Sequence, residues 1–212
     1  MKKLLQGGIV ALAVVVIPCA LNPRFLLAPQ AWILIATGLL GSLFQPAYNP
    51  FRKAPDCMDH GTASQIIWTV YLTQLLAVIE AAWLRYPASV ELDVVSYAGV
   101  IFMALGLFIR SWAFYELGRS FTWHISAQRG QTVIESGPYA YIRHPGYAGA
   151  FMTYASTALL LHSWFALAPS ALALGLAFAR RIRLEEHELA LKLGEPYSSY
   201  CRRVKRVIPW LW

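Results

Sequence analysis

Charge is scarce in this chain. Only 14% of its 212 residues are Asp, Glu, Lys or Arg, against 58% hydrophobic, and the mean hydropathy is +0.47. A water-soluble domain carries about 25% charged residues, because its surface has to be covered by something polar. The shortage therefore excludes a soluble globular domain. Acidic residues are scarcer than basic ones, 11 against 18, which leaves a formal net charge of +7. Cysteine is rare and scattered: Cys19, Cys57 and Cys201 form neither a disulfide framework nor a Cys-x-x-Cys metal site, and no metal is expected. There is no internal repeat and no low-complexity linker.

In place of charge there are six apolar stretches, at about Leu4–Leu21, Ala28–Phe44, Gln65–Leu84, Val94–Phe114, Tyr147–Leu161 and Trp164–Ala179. A helix that crosses a ~30 Å hydrocarbon core needs about 20 residues. The third and fourth stretches are long enough and the first two adequate. The last two are short and joined by a minimal turn at His162-Ser163, so they read as a tight hairpin that spans the membrane or partly re-enters it. The first stretch, with Lys2 and Lys3 ahead of it and Cys19-Ala20 near its end, also has the form of a signal peptide. No hydrophilic domain follows, so it is read as a first transmembrane helix.

The basic residues test this topology. With six crossings and the N-terminus in the cytoplasm, fifteen of the 18 Lys and Arg fall inside and only Arg24 and Arg85 outside. That is the positive-inside bias. The remaining one, Arg110, is expected to snorkel from the inner end of the fourth helix. Both termini are then cytoplasmic, and the net charge is explained by loops facing anionic lipid rather than by nucleic acid. Glu80 stands out: a carboxylate at membrane depth costs roughly 2.5–3.5 kcal/mol on insertion scales, so it is expected to face the bundle interior or a polar rim.

Two cytoplasmic segments, Glu116–Gly146 and Arg180–Trp212, hold most of the unusual chemistry. In the first, Phe121-Thr122-Trp123-His124 and Gln128 precede a polar turn, and Thr132–Glu135 reads as a short extended piece. Gly137-Pro138 marks a turn. Pro145 sits where a fifth helix would begin, the position at which its missing N–H does least harm. Arg143 and His144 then lie at the mouth of that helix, whose positive end favours an anion. Gly146 and Gly149 would let a ligand or another helix approach closely. In the second segment, Arg181 and Glu185 share a helix face, as do Ile182 and Glu186, and the helix is expected to stop near Gly194-Glu195-Pro196. Each feature has an ordinary reading as well. Arg143-His144 would serve as a membrane anchor, Glu185, Glu186 and Glu188 as a solvated face paired with Arg181 and Arg183, His124 as an exposed loop residue, and Trp210 and Trp212 as interfacial anchors.

Taken together, Ser136-Gly137-Pro138-Tyr139, Arg143-His144-Pro145-x-Tyr147-x-Gly149, a hydrophobic hairpin, Glu185-Glu186 and Gly194-Glu195-x-Tyr197-x-x-Tyr200 strongly resemble the isoprenylcysteine carboxyl methyltransferase family and the related phospholipid N-methyltransferases. The resemblance covers about Leu117–Trp212. It implies a methyltransferase that uses S-adenosylmethionine without a Rossmann domain, in keeping with the lack of a G-x-G-x-x-G after a strand. It implies a cofactor site at Tyr139, Arg143, His144, Pro145, Tyr147 and Glu185, with Arg143, His124 and Glu186 as the catalytic candidates. Arg143 would pair with the methionyl carboxylate, Glu185 with ribose hydroxyls or the amino group, and Tyr139 and Tyr147 would stack on adenine or shield the sulfonium. A carboxylate acceptor needs no base; an amine or thiol would need one, with His124 or His144 as candidates. The acceptor is expected to be hydrophobic or lipid-like and to enter from the membrane, with carboxylate O-methylation of the isoprenylcysteine type ahead of phospholipid N- or thiol S-methylation. Two other classes stay open: an NADPH-dependent enzyme like the sterol reductases, which share Arg-His-x-x-Tyr-x-Gly and Tyr-x-x-Tyr-Cys, and a non-enzymatic membrane protein.

The sequence therefore predicts an all-α polytopic bundle of about six transmembrane helices with a cytoplasmic cofactor pocket in its C-terminal half. Residues 1–114 are read as N-terminal helices that select substrate, and 115–212 as the methyltransferase-like core. Membrane lipids and a lipid-like small molecule are the expected partners, and the oligomeric state is not set. A compact chain of this kind points to a prokaryotic inner membrane.

Overall fold

The computed structural model of the protein describes residues 2–44, 59–123 and 132–209. Its order is α1 (Lys2–Val16), α2 (Pro29–Phe44), α3 (Thr62–Ile79, continued by a π turn at Glu80–Leu84), α4 (Val94–Leu117), α5 (Pro145–Leu160), α6 (Trp164–Leu193) and α7 (Glu195–Arg203). Each of the six apolar stretches contains a helix. There is no strand among the described residues, and Thr132–Glu135 is irregular. One isolated parallel bridge joins Ile142 to Lys205. The all-α bundle is the fold the apolar stretches predict.

Among the described residues, three helices are long and apolar enough to cross a membrane: Thr62–Leu84, Val94–Leu117 and Trp164–Leu193. The hairpin expected at the end of the chain is unequal. α5 has 16 residues, about 24 Å at 1.5 Å per residue, and falls short of a full crossing. α6 runs without a break from the apolar stretch through Arg180–Leu193, 30 residues or about 45 Å, so its last turns extend beyond the hydrocarbon. Good helix formers carry it on until Gly194, at φ 62°, supplies the left-handed residue that ends it.

Local chemistry fixes the ends. Pro145 is the first residue of α5, buried behind the N-cap His144. Asp93 and Ser96 form a capping box at α4: the Ser96 N–H donates to Asp93 Oδ1 at 2.9 Å and the Asp93 N–H to Ser96 Oγ at 2.8 Å. Glu80 does face the interior. It is 4% exposed, and its carboxylate accepts from the backbone N–H of Phe165 (3.1 Å) and Ala166 (2.7 Å), two otherwise orphaned donors at the start of α6. The charge in the membrane is thus a helix cap supplied by a neighbouring helix.

α5 packs along α4, and also against α6 and α3, while α4 has no substantial packing on α3 or α6. The α4–α5 contact is backbone to backbone. A Cβ on Gly106 would lie 2.6 Å from Gly149 O, one on Gly149 2.5 Å from Gly106 O, and one on Gly99 2.6 Å from Leu160 N. Small residues allow this approach, which lipid-embedded helices need because dispersion, not water exclusion, holds them together. Of the two uses foreseen for Gly149, it is the helix that comes close.

Candidate functional site

At the basic end of the bundle, α3, α4, α5 and α6 enclose a cavity of about 170 Å³, closed by α7 and the segments on either side of Gly137. Its apolar lining includes Ile66 and Val70 of α3, Ala150 of α5 and Phe178 of α6. Its polar lining includes Tyr139, Arg143, His144, Tyr147, Arg181, Glu185, Glu188 and Tyr197. Arg110 and Phe114 of α4 stand on the wall as well, with Phe121 and Trp123 beside them. Phe121 packs edge-on against Phe114 (4.5 Å) and Trp123 (5.4 Å).

Two polar networks order the polar lining. In the first, Arg181 joins α6 to α3 and to the chain after α4. Its Nη1 binds Asp59 Oδ1 and, at 2.9 Å, Thr62 Oγ1; its Nη2 donates to Trp123 O at 2.6 Å. Its Nε donates to the Tyr147 hydroxyl at 3.1 Å, and that hydroxyl donates to Glu185 Oε2 at 2.7 Å. Glu185 is therefore oriented by a chain that starts at the buried Asp59, and its Oε1 has no partner among the described residues.

The second network centres on Glu186. Arg143 Nε (2.9 Å) and Nη2 (2.7 Å) donate to Glu186 Oε1, His144 Nε2 lies 3.2 Å from the same oxygen, and Arg206 Nε donates to Oε2 at 2.8 Å. Arg143 Nη1 also donates to the carbonyls of Cys201 (3.1 Å) and Val204. The N–H groups of Arg143 and His144 bond to Lys205 O (2.7 Å) and Arg206 O (2.9 Å). The Tyr200 hydroxyl donates to Tyr139 O at 2.7 Å. Together these contacts stitch the start of α5 to α7 and the tail.

Against the sequence reading, Tyr139, Arg143, His144, Tyr147 and Glu185 are brought together on one cavity wall. Pro145 and Glu186 are not on it. Pro145 starts the helix, and both Glu186 oxygens are used by Arg143, His144 and Arg206. Arg143 reaches the wall, and four of its five N–H groups are bonded within the protein. His124 and Gln128 lie outside the described residues. Arg110 does not snorkel: it is 7% exposed, turned inward, with Nη1 on Gly146 O at 2.8 Å and its guanidinium 4.8 Å from the Phe114 centroid. Burial pushes the phenols of Tyr139, Tyr197 and Tyr200 above the ordinary tyrosine value. They are neutral hydrogen-bonding groups at neutral pH.

Asp59, Arg110, Glu188 and Tyr197 are cavity or network residues that the sequence did not single out as a site. Two signals were available: Arg110 is a cation inside an apolar helix, and Tyr197 lies in the Gly194-Glu195-x-Tyr197-x-x-Tyr200 motif.

Comparison with known proteins agrees with this geometry. Residues 99–191 match the isoprenylcysteine carboxyl methyltransferase (ICMT) family. The chain is 31% identical over 181 residues to a protein-S-isoprenylcysteine O-methyltransferase of Schizosaccharomyces pombe, aligning over 84% of this chain and 66% of that one. It is 32% identical over 130 residues to a probable protein-S-isoprenylcysteine O-methyltransferase of Oryza sativa subsp. indica (60% and 68%), and 30% identical over 144 residues to protein-S-isoprenylcysteine O-methyltransferase B of Arabidopsis thaliana (66% and 73%). The alignments thus span about two thirds of the length of these relatives. All three are eukaryotic, and they lend nothing to a prokaryotic membrane. In structure, the chain resembles the eukaryotic intramembrane Ras methyltransferase ICMT, with a TM-score of 0.58 at 18% identity over 96% of this chain and 97% of that one. With its membrane-length helices, this multi-pass integral membrane protein belongs to the isoprenylcysteine carboxyl methyltransferase family.

Proposed function

We propose that the protein transfers a methyl group from S-adenosylmethionine to the carboxylate of a lipid-bearing acceptor of the isoprenylcysteine type. The observation that carries this reading is one cavity whose lining combines apolar residues of the membrane helices with a cluster of polar groups and a buried guanidinium, Arg110. The apolar lining suits a prenyl chain, and the polar lining suits a charged cofactor. A desolvated guanidinium suits an acceptor carboxylate, because its planar fork matches the two oxygens.

The polar lining residues fit the cofactor. Among the described residues Glu185 is bonded through Oε2 alone, and the Tyr197 hydroxyl has only the Cys201 thiol as its polar neighbour. Glu185 would accept from the amino group, and the aromatic faces of Tyr139 and Tyr147 would border the sulfonium. When bound, the cofactor supplies a methyl group activated on sulfur. The chain's own work is alignment and exclusion of water: the Arg181–Tyr147–Glu185 relay holds the carboxylate in place, and the Arg143–Glu186 clamp holds the lid of α7 and the tail. An ionised carboxylate acceptor needs no proton removed, so no base is assigned. α3 and α4 wall the cavity without substantial packing on each other, and the space between them is the route we assign to the lipid. The excess of basic residues at this end supports a cytoplasmic placement for it.

The test is transfer of labelled methyl from S-adenosylmethionine to N-acetyl-S-farnesylcysteine by detergent-purified protein, with the corresponding carboxamide as control. Labelling of the acid alone, lost in Arg110→Ala, is expected. Labelling of phosphatidylethanolamine and not of the acid would replace the acceptor, and no labelling of either would end the proposal.

A further inference from the structure

Glu188 has no task in the site described above. It lies three residues after Glu185 on α6, one helical turn further from the membrane on the same face. It is 6% exposed and lines the cavity. Its carboxylate makes no hydrogen bond among the described residues; its ion-pair partner is Lys192, at 3.6 Å, on the half-exposed side of the same helix. A buried carboxylate normally takes several donors, since leaving it short of them costs more than any single hydrogen bond yields. Around it the wall is apolar: Val133, Leu189, Leu193 and the ring of Tyr197 pack together as one cluster. The Tyr197 hydroxyl, on a side chain 4% exposed, is a second polar group on this wall without an ordinary partner.

An apolar wall with an acceptor-only group at its edge matches a purine nucleoside, whose faces are apolar and whose exocyclic amine and ribose hydroxyls donate. We infer that Glu188 is the hydrogen-bond acceptor for the nucleoside half of the cofactor, with the base against the wall of Val133, Leu189 and Leu193. This deepens the proposed function and rests on it. It also gives the cofactor a direction along α6: the amino-acid half lies at Glu185, towards the membrane and the acceptor, and the nucleoside half lies one turn out, at Glu188. Glu188 is a binding residue here and touches no reacting atom.

The experiment is calorimetric titration of the detergent-purified full chain with S-adenosylhomocysteine, S-inosylhomocysteine, which has a carbonyl in place of the amine, and 2′-deoxy-S-adenosylhomocysteine. Wild type, Glu188→Gln and Lys192→Met are compared. Wild type should bind S-adenosylhomocysteine and lose about tenfold or more for whichever analogue lacks the donor, the usual worth of a hydrogen bond to a charged group. In Glu188→Gln that discrimination should collapse. If the amine is the donor, the glutamine amide now serves the inosyl carbonyl and that analogue gains; if the ribose is the donor, the deoxy analogue loses its disadvantage. Lys192→Met should bind like wild type. Wild-type affinity and discrimination in Glu188→Gln, or equal losses for all three ligands in both variants, would overturn the inference and make Glu188–Lys192 a structural pair. Wild-type protein that binds none of the three would instead overturn the cofactor assignment itself.

Discussion

A single methyl group at Gly149 should separate α4 from α5. A Cβ there meets Gly106 O at 2.5 Å, Arg110 N at 2.7 Å and Arg110 Cβ at 2.9 Å. These are mostly backbone atoms, so no side chain can swing aside. Non-bonded contacts are comfortable at about 3.5–4.0 Å, so the helices must part by roughly 1 Å. Overpacking of this sort costs about 1–3 kcal/mol. At roughly 2–4 °C per kcal/mol for a chain of this size, Gly149→Ala should lower the thermal midpoint by about 2–12 °C. The same movement displaces Arg110, whose Nη1 is bonded to Gly146 O one turn away, so methyl transfer should fall even well below the melting temperature. The control is Gly175→Ala on α6, where a Cβ would first meet Phe151 at an ordinary 4.0 Å. There the loss of a flexible residue should be neutral or stabilise by about 0.5–1 kcal/mol. Unfolding followed by tryptophan fluorescence in one detergent, with activity measured at low temperature, reads both. If Gly149→Ala melts with wild type, or Gly175→Ala falls as far, the close approach of the two backbones is not what holds them.

Arg181→Ala should be severe, because it leaves Asp59 buried without its guanidinium, a loss of about 3–5 kcal/mol. Arg181→Ala and Asp59→Ala should combine less than additively in thermal unfolding, and additive losses would refute the pairing. At high pH the buried phenols matter. Tyr139, Tyr197 and Tyr200 are held above the ordinary tyrosine value, so the unfolded chain releases its phenolic protons first. Stability should be flat below about pH 10 and fall as pH rises past it. Tyr197→Phe should make that fall shallower; an unchanged slope in alkaline melts would count against the burial of this phenol.

Much of the fold was legible because a membrane imposes a simple rule on composition. Every apolar stretch holds a helix, Pro145 starts α5 and Gly194 ends α6, since proline's missing N–H and glycine's positive φ act locally. The cofactor candidates Tyr139, Arg143, His144, Tyr147 and Glu185 could be named because the short motifs that hold them resemble those of the methyltransferase family. The roles within those motifs were not legible. Glu185 and Glu186 are neighbours in sequence, yet only Glu185 faces the cavity. On a helix the next residue is turned by about 100°, and Glu186 is thereby delivered to Arg143, His144 and Arg206. That the apolar stretch and the polar segment after Ala179 form one unbroken helix was also missed, because a drop in hydropathy marks where the environment changes, not where the helix stops.

The sequence by itself determined that the chain is helical and membrane-bound, where most helices begin and end, and which short motifs belong to which family. These follow from hydropathy, capping and spacing, which act over a few residues. The tertiary structure alone decided that Glu80 caps α6, that Arg110 turns inward beside Gly146, that Asp59 orients Glu185 through Arg181 and Tyr147, and that Glu188 lines the cavity. Each of these joins groups brought together by helix packing. A buried charge takes its partner from whichever helix packs beside it, and that partner is not written within reach of its own sequence neighbours.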